Sequence, residues 1–222
     1  LNKLISEQND VHNQNLFIKK FSLPILLAFL FALFNQLSGI NAFLYYAPRI
    51  FESAGLESSS ALLGTIGIGI ANLIFTLLGL YLIDKVGRKS LMYIGSIGYI
   101  ISLSLVSLAF INSWEGLSVP LFLFIFIASH AMGQGAVIWV FISEIFPNKL
   151  RAKGQSLGSS VHWILAAIIT LVMPTALSYF NNPGYVFIFF AFMMVLQLLF
   201  VAFLMPETKG ISLEDLSEKL SS

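Results

Sequence analysis

Six long apolar segments, almost free of charged residues, fill most of this chain. Each has about the 20 residues that an α-helix needs to cross the ~30 Å hydrocarbon core of a bilayer. Because lipid offers no partner to backbone N–H and C=O groups, segments of this length are typical of transmembrane helices. They predict an all-α membrane protein, a bundle of six transmembrane helices embedded in a lipid bilayer. The segments are Phe21–Ala54, Ser60–Ile83, Ser90–Asn112, Leu117–Phe146, Gly154–Asn181 and Pro183–Met205.

The composition agrees with this class of protein. Hydrophobic residues make up 57% of the chain and charged residues only 10%, far from the balance of soluble domains. The formal net charge of +1 gives no reason to expect a nucleic-acid partner. The absence of cysteine excludes disulfides, thiol catalysis and cysteine metal sites.

The basic residues indicate an orientation. Eleven of the twelve Lys and Arg residues lie in the N-terminal segment, the second and fourth gaps and the tail, and only Arg49 lies on the opposite side. Since positive residues stay on the cytoplasmic side, both termini are predicted to be cytoplasmic, in a plasma (cell or inner) membrane.

Three amide side chains interrupt the first apolar segment at membrane depth: Asn35, Gln36 and Asn41, followed by Tyr45 and Tyr46. Such groups cost free energy in lipid unless they face a wet cavity or hydrogen-bond a neighbour. Bonds between helices are the plainer alternative. So many polar groups in one segment favour a binding site, and Gly39 and Pro48 nearby are places where a helix can bend or unwind.

The other segments carry fewer polar residues. Asn72 is an amide on a face of small residues in the second segment, and the third segment, dotted with Ser and Gly, is interpreted as a scaffold helix. His130 in the fourth segment is expected to be a hydrogen-bonded structural residue rather than a proton carrier. His162 and Trp163 lie together in the fifth.

No segment has an acidic or basic residue near its centre, which argues against an ion channel with a charged filter. Two isolated histidines without a carboxylate do not make a metal site, and no nucleophile–base spacing or phosphate loop is present. We therefore expect neither an enzyme nor a cofactor. The acids and bases at the segment ends are instead placed to latch helix ends together and to release them in a conformational change.

Four stretches together resemble the sugar porter family of the major facilitator superfamily, in its C-terminal half. They are QLSGINAFLYYAPRIFESAG from Gln36, DKVGRK from Asp84, WVFISEIFPNKLRAKG from Trp139 and PETKG from Pro206, in family order and at family spacing. The resemblance covers about residues 16–218. It implies one half of a major facilitator fold, with residues 1–20 as the cytoplasmic end of a central loop, 21–206 as the six-helix half-bundle and 207–222 as a cytoplasmic tail with a short helix.

The resemblance also implies roles for individual residues. Three positions depart from the family pattern. Asn35 stands where the family usually has a Gln, and His162 stands where it has a Gln or an Asn. His130 stands where an aromatic residue is common. The sugar-binding groups fall on Asn35, Gln36, Asn41, Asn72, Gly135, Trp139, His162 and Trp163. The tyrosines of an extracellular gate fall on Tyr45 and Tyr46. A cytoplasmic charge network that stabilises the outward-facing state falls on Asp84, Arg88, Glu144, Arg151 and Glu207.

The expected function is transport of a monosaccharide, a hexose or pentose, by alternating access. This chain would be the C-terminal half of the carrier and would need a missing N-terminal six-helix half. Amides suit sugar hydroxyls because both groups donate and accept hydrogen bonds. The alternative is a non-transporting sugar sensor of the same fold. Coupling to protons stays open, because family members place the proton-carrying carboxylate in the other half.

Overall fold

The computed structural model describes residues 15–114, 116–180 and 182–220. The first fourteen residues of the expected loop segment therefore lie outside the described residues. A short 3-10 turn, Lys19–Phe21, precedes nine α-helices, and the described part of the chain contains no strand. The helices are α1 (Ser22–Leu37), α2 (Ile40–Ser53), α3 (Ser58–Val86), α4 (Arg88–Ile111), α5 (Ser118–His130), α6 (Ala136–Glu144), α7 (Arg151–Tyr179), α8 (Gly184–Phe203) and α9 (Leu213–Leu220).

Six stretches of these helices are long and apolar enough to cross a membrane, which confirms the predicted six-helix bundle. The first span joins α1 to α2, and the fourth joins α5 to α6 through a π-helical turn, Ala131–Gly135. The helical tail expected after Ser212 is α9, whose Leu216 and Leu220 pack against the bundle.

The first span breaks at Gly39, as its glycine led us to expect. Gly39 has a φ of 82°, a left-handed conformation that side chains disfavour, and it separates α1 from α2. A Cβ there would also lie 2.8 Å from Cε2 of Phe190 on α8. Pro48, by contrast, lies inside the continuous helix α2.

Four pairings of spans account for most of the packing. The two halves of the first span contact α7, α3 contacts the fourth span, and α4 packs along both α8 and the fourth span. In the most apolar stretch of each successive span, 61, 17, 50, 61, 17 and 44% of the residues are buried. The second and fifth spans, α3 and α7, thus have far fewer buried residues than the other four.

Two apolar clusters fill the interior, one at each end of the bundle. One contains Phe43, Phe126 and Phe187, and the other contains Phe31, Phe141 and Phe200. On nearly every span, a buried polar residue lies between the residues that belong to the two clusters. This polar layer consists of Asn35, Gln36, Ser96, His130, Gln134, His162 and Gln197. It lies at mid-depth, where an unpaired polar group is most costly.

Candidate functional site

Gln36 is the centre of one hydrogen-bonded cluster in the polar layer. Its Nε2 donates to Oδ1 of Asn35 at 3.0 Å and lies 3.1 Å from the ring nitrogens of His162 on α7. Its Oε1 accepts a hydrogen bond from Nδ2 of Asn41 at 2.9 Å. The break at Gly39 makes this last bond attainable, because it lets a residue of α2 turn back towards the end of α1. The amides of both halves of the first span are thereby tied to α7.

The residues of this cluster differ sharply in exposure. Gln36 and Asn35 are buried, with 0 and 2% of their surface exposed, whereas Asn41 is half-buried. Trp139 and Trp163 are 36 and 60% exposed, and each indole centroid lies 5.1 Å from the ring of His162. The accessible part of the site is therefore an amide and two indoles, and Gln36 lies behind them.

The remaining predicted binding residues lie apart from this cluster. Asn72 is half-buried on α3 and makes no hydrogen bond to the cluster within the described part of the chain. Gly135 ends the π-helical turn, one helical turn before Trp139, and is also partly exposed. A π-turn inside an α-helix is frequently found at a functional site, and here nothing in the sequence predicted it.

Tyr99 was missed by the sequence analysis, which interpreted its helix as a scaffold without a strong polar group. Its buried hydroxyl is hydrogen-bonded to Nδ1 of His130, as expected for a structural histidine, and donates to Oε1 of Gln134 at 3.4 Å. Nε2 of Gln134 in turn donates to the carbonyl oxygen of Phe31 at 3.4 Å. A tyrosine in an apolar segment is a weak signal by itself, since tyrosine is also common in apolar cores.

The two tyrosines of α2 have different surroundings. Tyr45 is 66% exposed, whereas Tyr46 is half-buried and donates its hydroxyl proton to the carbonyl oxygen of Thr170 at 3.2 Å. Because Thr170 belongs to α7, this bond joins α2 to α7. The bond lies at the end of the bundle opposite the turns that carry most of the Lys and Arg residues, which are called the basic turns below.

Arg88 is the centre of a second polar cluster, at the end of the bundle that carries the basic turns. Its Nη2 and Nε donate to the two carboxylate oxygens of Glu144 at 2.7 and 3.2 Å, a bidentate pair that joins α4 to α6. Its Nη1 donates to Oδ1 of Asp84 at 2.8 Å. The side chains of Arg88 and Glu144 are only 10 and 18% exposed, whereas that of Asp84 is 78% exposed. Thr208 adds a 2.6 Å bond to Glu144.

Glu207 holds the start of α4 through backbone N–H groups. Its carboxylate accepts from the amides of Arg88, Lys89, Thr208 and Lys209 at 2.9 to 3.0 Å. Burial alone would raise the pKa of Glu207, but these four donors lower it below its usual value. Gly87 makes room for the contact, since it has a φ of 98° and a Cβ there would lie 2.5 Å from Oε2 of Glu207.

Arg151 does not join this cluster by a hydrogen bond. Its Nε and Nη2 are buried and have no partner among the described residues. Its side chain borders an open cavity of about 560 Å³ shared with Arg88, Glu144 and Thr208. Four of the five predicted network residues are thus connected, and the fifth faces the same cavity.

Comparison with known proteins matches these features to membrane transporters. The family model described as "Sugar (and other) transporter" matches residues 2–220. The chain is 36% identical over 198 residues to the D-xylose-proton symporter of Escherichia coli, covering 86% of this chain and 40% of that protein. It is 34% identical over 192 residues to the glucose facilitated diffusion protein of Zymomonas mobilis, covering 84% and 41%.

Solved structures agree. The proton:xylose symporter XylE of the major facilitator superfamily, bound to 6-bromo-6-deoxy-D-glucose, superposes with a TM-score of 0.80 at 36% identity over 89% of this chain and 42% of that one. An inward open conformation of the xylose transporter XylE from E. coli also gives 0.80, over 98% and 46%. The chain thus spans a little under half the length of the proteins that it matches.

Proposed function

Because the chain belongs to the sugar transporter family of the major facilitator superfamily, a family of transporters rather than enzymes, we propose that it is the C-terminal half of a monosaccharide carrier. Its six spans correspond to somewhat less than half of the E. coli symporter. A second six-helix bundle would complete the carrier, which would work by alternating access about a site at mid-depth between the two halves.

The observation that carries this proposal is the Gln36 cluster with its two exposed indoles. Asn41 and His162 offer donor and acceptor groups, which suit the hydroxyls of a sugar. Trp139 and Trp163 offer flat apolar faces, each with one N–H donor, which suit the C–H face of a sugar ring. The amides of this cluster already hydrogen-bond one another and His162, so it is the exposure of Asn41 and of the two indoles that supports a polar ligand here.

The differences in exposure divide the roles within the site. Asn41, Trp139 and Trp163 contact the sugar, with the edge of His162 between the indoles. Gln36 and Asn35 lie behind them and hold Asn41 and His162 in position. Asn72 and Gly135 line the cavity on either side. The preference among hydroxyl arrangements follows from these donors, because an unmatched buried donor costs about 1–3 kcal/mol.

The two ends of the bundle act as gates in this proposal. The basic end faces the cytoplasm of a cell or inner membrane, and Tyr45 and Tyr46 close the site from outside. Arg88, Glu144, Asp84 and Glu207 brace the helix ends on the cytoplasmic side. Arg151, whose side chain borders the open cavity beside this cluster, provides a contact for an acidic side chain of the other half when that side closes.

The decisive experiment measures flux of labelled D-xylose and D-glucose into proteoliposomes. The carrier that contains this chain is compared with residues 1–222 alone and with empty liposomes. We expect saturable uptake by the carrier and none by residues 1–222 alone. Uptake with and without an imposed pH gradient distinguishes a symporter from a facilitator. Sugar binding without flux would instead identify a sensor, and saturable flux through monomers of residues 1–222 would overturn the half-carrier assignment.

The site itself is tested by Gln36→Ala. This change leaves Nδ2 of Asn41 and the ring of His162 without the partner that orients them. We expect the dissociation constant for the sugar to rise about tenfold to a hundredfold, which corresponds to roughly 1–3 kcal/mol. Asn112→Ala is the matched control, since it removes an exposed amide at the end of α4. Equal affinities of Gln36→Ala and the control would refute the assignment of the site.

A further inference from the structure

Tyr99 is the largest fully buried side chain in the protein's described interior that carries a polar atom at mid-depth. Its hydroxyl meets Nδ1 of His130, on the fourth span, and lies 3.4 Å from Oε1 of Gln134. Burying a hydroxyl, an imidazole and an amide together is costly unless all three are paired. A phenylalanine would fill the same space without that cost, so packing alone does not account for the tyrosine.

The contact with Tyr99 determines which edge of His130 remains available. Nδ1 is occupied, so Nε2 is the ring nitrogen left for another partner. Nε2 lies on the side of Gly135, because a Cβ on Gly135 would be 3.3 Å from Nε2 and 3.2 Å from Cδ2. Gly135 is partly exposed and precedes the exposed Trp139 by one helical turn. The free edge of His130 therefore borders the face that carries the indole.

We propose that Tyr99 is a positioning residue for sugar recognition. It holds the ring of His130 so that Nε2 faces the site beside Gly135 and hydrogen-bonds a hydroxyl of the sugar. This inference rests on the proposed function. It adds to the site a helix, α4, that supplies none of the expected binding residues.

The hydrogen bonds of Tyr99 also assign a role to Nε2. In the proposed arrangement, the hydroxyl donates its proton to Oε1 of Gln134 and its oxygen accepts the Nδ1–H of His130, which is one of the two arrangements that the contact with Nδ1 allows. The neutral ring then has an unprotonated Nε2, which accepts a proton from a sugar hydroxyl. Gly135 has no side chain to cover this edge of the ring, whereas a Cβ there would lie 3.3 Å from Nε2. A partner that fixes the far nitrogen of a histidine also orients the ring, as is common around metal-bound histidines.

The test compares Tyr99→Phe, His130→Gln and His130→Phe in the carrier that contains this chain. Binding of D-xylose, D-glucose and the singly deoxygenated derivatives of D-glucose is measured for each. Tyr93→Phe is the matched control, since it removes a half-buried hydroxyl from the same helix. We expect Tyr99→Phe to weaken binding of D-glucose about tenfold, the effect of one misplaced hydrogen bond, and the control to have no effect.

Two readouts separate positioning from packing. The deoxy sugar that lacks the hydroxyl contacted by His130 has no bond to His130 to lose. It should therefore bind equally well to the wild type and to Tyr99→Phe. In a His130→Phe background, Tyr99→Phe should cause no further loss. Equal losses for every sugar, or losses that add in the double variant, would make Tyr99 a packing residue. If Tyr99→Phe does not fold, His130→Gln must show the same single-hydroxyl selectivity or the proposal is wrong.

The outcome is distinguishable from failure of the proposed function. If the wild-type carrier binds none of these sugars, the monosaccharide assignment fails. If the wild type binds sugar and Gln36→Ala weakens binding while Tyr99→Phe does not, only the role of Tyr99 is refuted.

Discussion

Replacing Glu207 with glutamine removes one charge from the point where the chain after α8 meets the start of α4. In the structure, Oε1 accepts three backbone N–H bonds and Oε2 accepts the bond from Lys89. The glutamine amide has only one oxygen. If that oxygen keeps the three bonds of Oε1, the NH₂ group points at the Lys89 N–H, donor against donor.

The magnitude follows from two contributions. One hydrogen bond to a charged group contributes about 1.5–3 kcal/mol, and a negative charge at a helix N-terminus contributes about 0.3–1 kcal/mol. Because Glu207 is half-buried, solvent weakens both, and the lower part of the range applies. We expect a loss of about 2 kcal/mol in the free energy of unfolding, which lowers the melting temperature of the carrier.

The assay is thermal unfolding of the detergent-solubilised carrier at several pH values, with Glu218→Gln on the exposed face of α9 as the control. The pKa of Glu207 is lowered from its ordinary value of 4.5 in the folded protein. Its stabilisation is therefore fully present above pH 4.5 and is lost as the pH falls through the lower folded value. The difference between wild type and Glu207→Gln should be constant from pH 7 to pH 5 and shrink below that. Equal melting temperatures at pH 7 would refute the reasoning.

Two further pairs of substitutions test other contacts that hold the bundle together. Glu144→Gln should destabilise the carrier by about 2–3 kcal/mol and slow turnover without changing sugar affinity, since it breaks a largely buried ion pair. Asp84→Asn, which removes the same charge from an exposed pair, should cost less than about 1 kcal/mol in the same melting experiment. Gly39→Ala should destabilise more than Gly55→Ala in chemical unfolding. At both positions an alanine in the left-handed conformation costs about 1–2 kcal/mol. Only at Gly39 would the new Cβ also clash with the ring of Phe190, at 2.8 Å. Equal effects within either pair would contradict these predictions.

Much of the fold follows from the sequence by simple physics. A segment such as Ser60–Ile83 needs no tertiary information to be identified as a span, and the helix observed there is Ser58–Val86. The break at Gly39 was equally accessible, because a glycine beside amides at membrane depth is an unusual combination. The π-helical turn at Ala131–Gly135 was not predicted, because the helices on either side of it are apolar on nearly every face and the phase shift caused by one extra residue leaves no visible change in their pattern.

The site was predictable only as a set of residue types. The sequence indicated that Gln36, Asn41 and His162 matter, but their mutual bonds depend on how α1, α2 and α7 are rotated about their axes. The burial of Gln36 behind Asn41 could not be predicted for the same reason. Tyr99 escaped notice because its importance lies wholly in its partner on another helix, and periodicity within one helix carries no information about such a partner.

The burial pattern of the spans has a consequence for the origin of the bundle. The values for spans one to three recur almost unchanged in spans four to six, and the first member of each set is the interrupted one. Suppose that each of the first three spans is exchanged with the span three places later. The contact of the first span with the fifth then becomes the contact of the fourth with the second, which is also present. The contact of the third span with the sixth is unchanged. These features are what a pseudo-two-fold axis relating two copies of a three-helix unit would produce, whereas the close contact of the third span with the fourth has no equally close counterpart between the sixth and the first. Because three is odd, the second copy crosses the membrane in the opposite sense, so the axis lies in the membrane plane. The Gly39 break and the π-helical turn are then corresponding interruptions, each in the first span of its set.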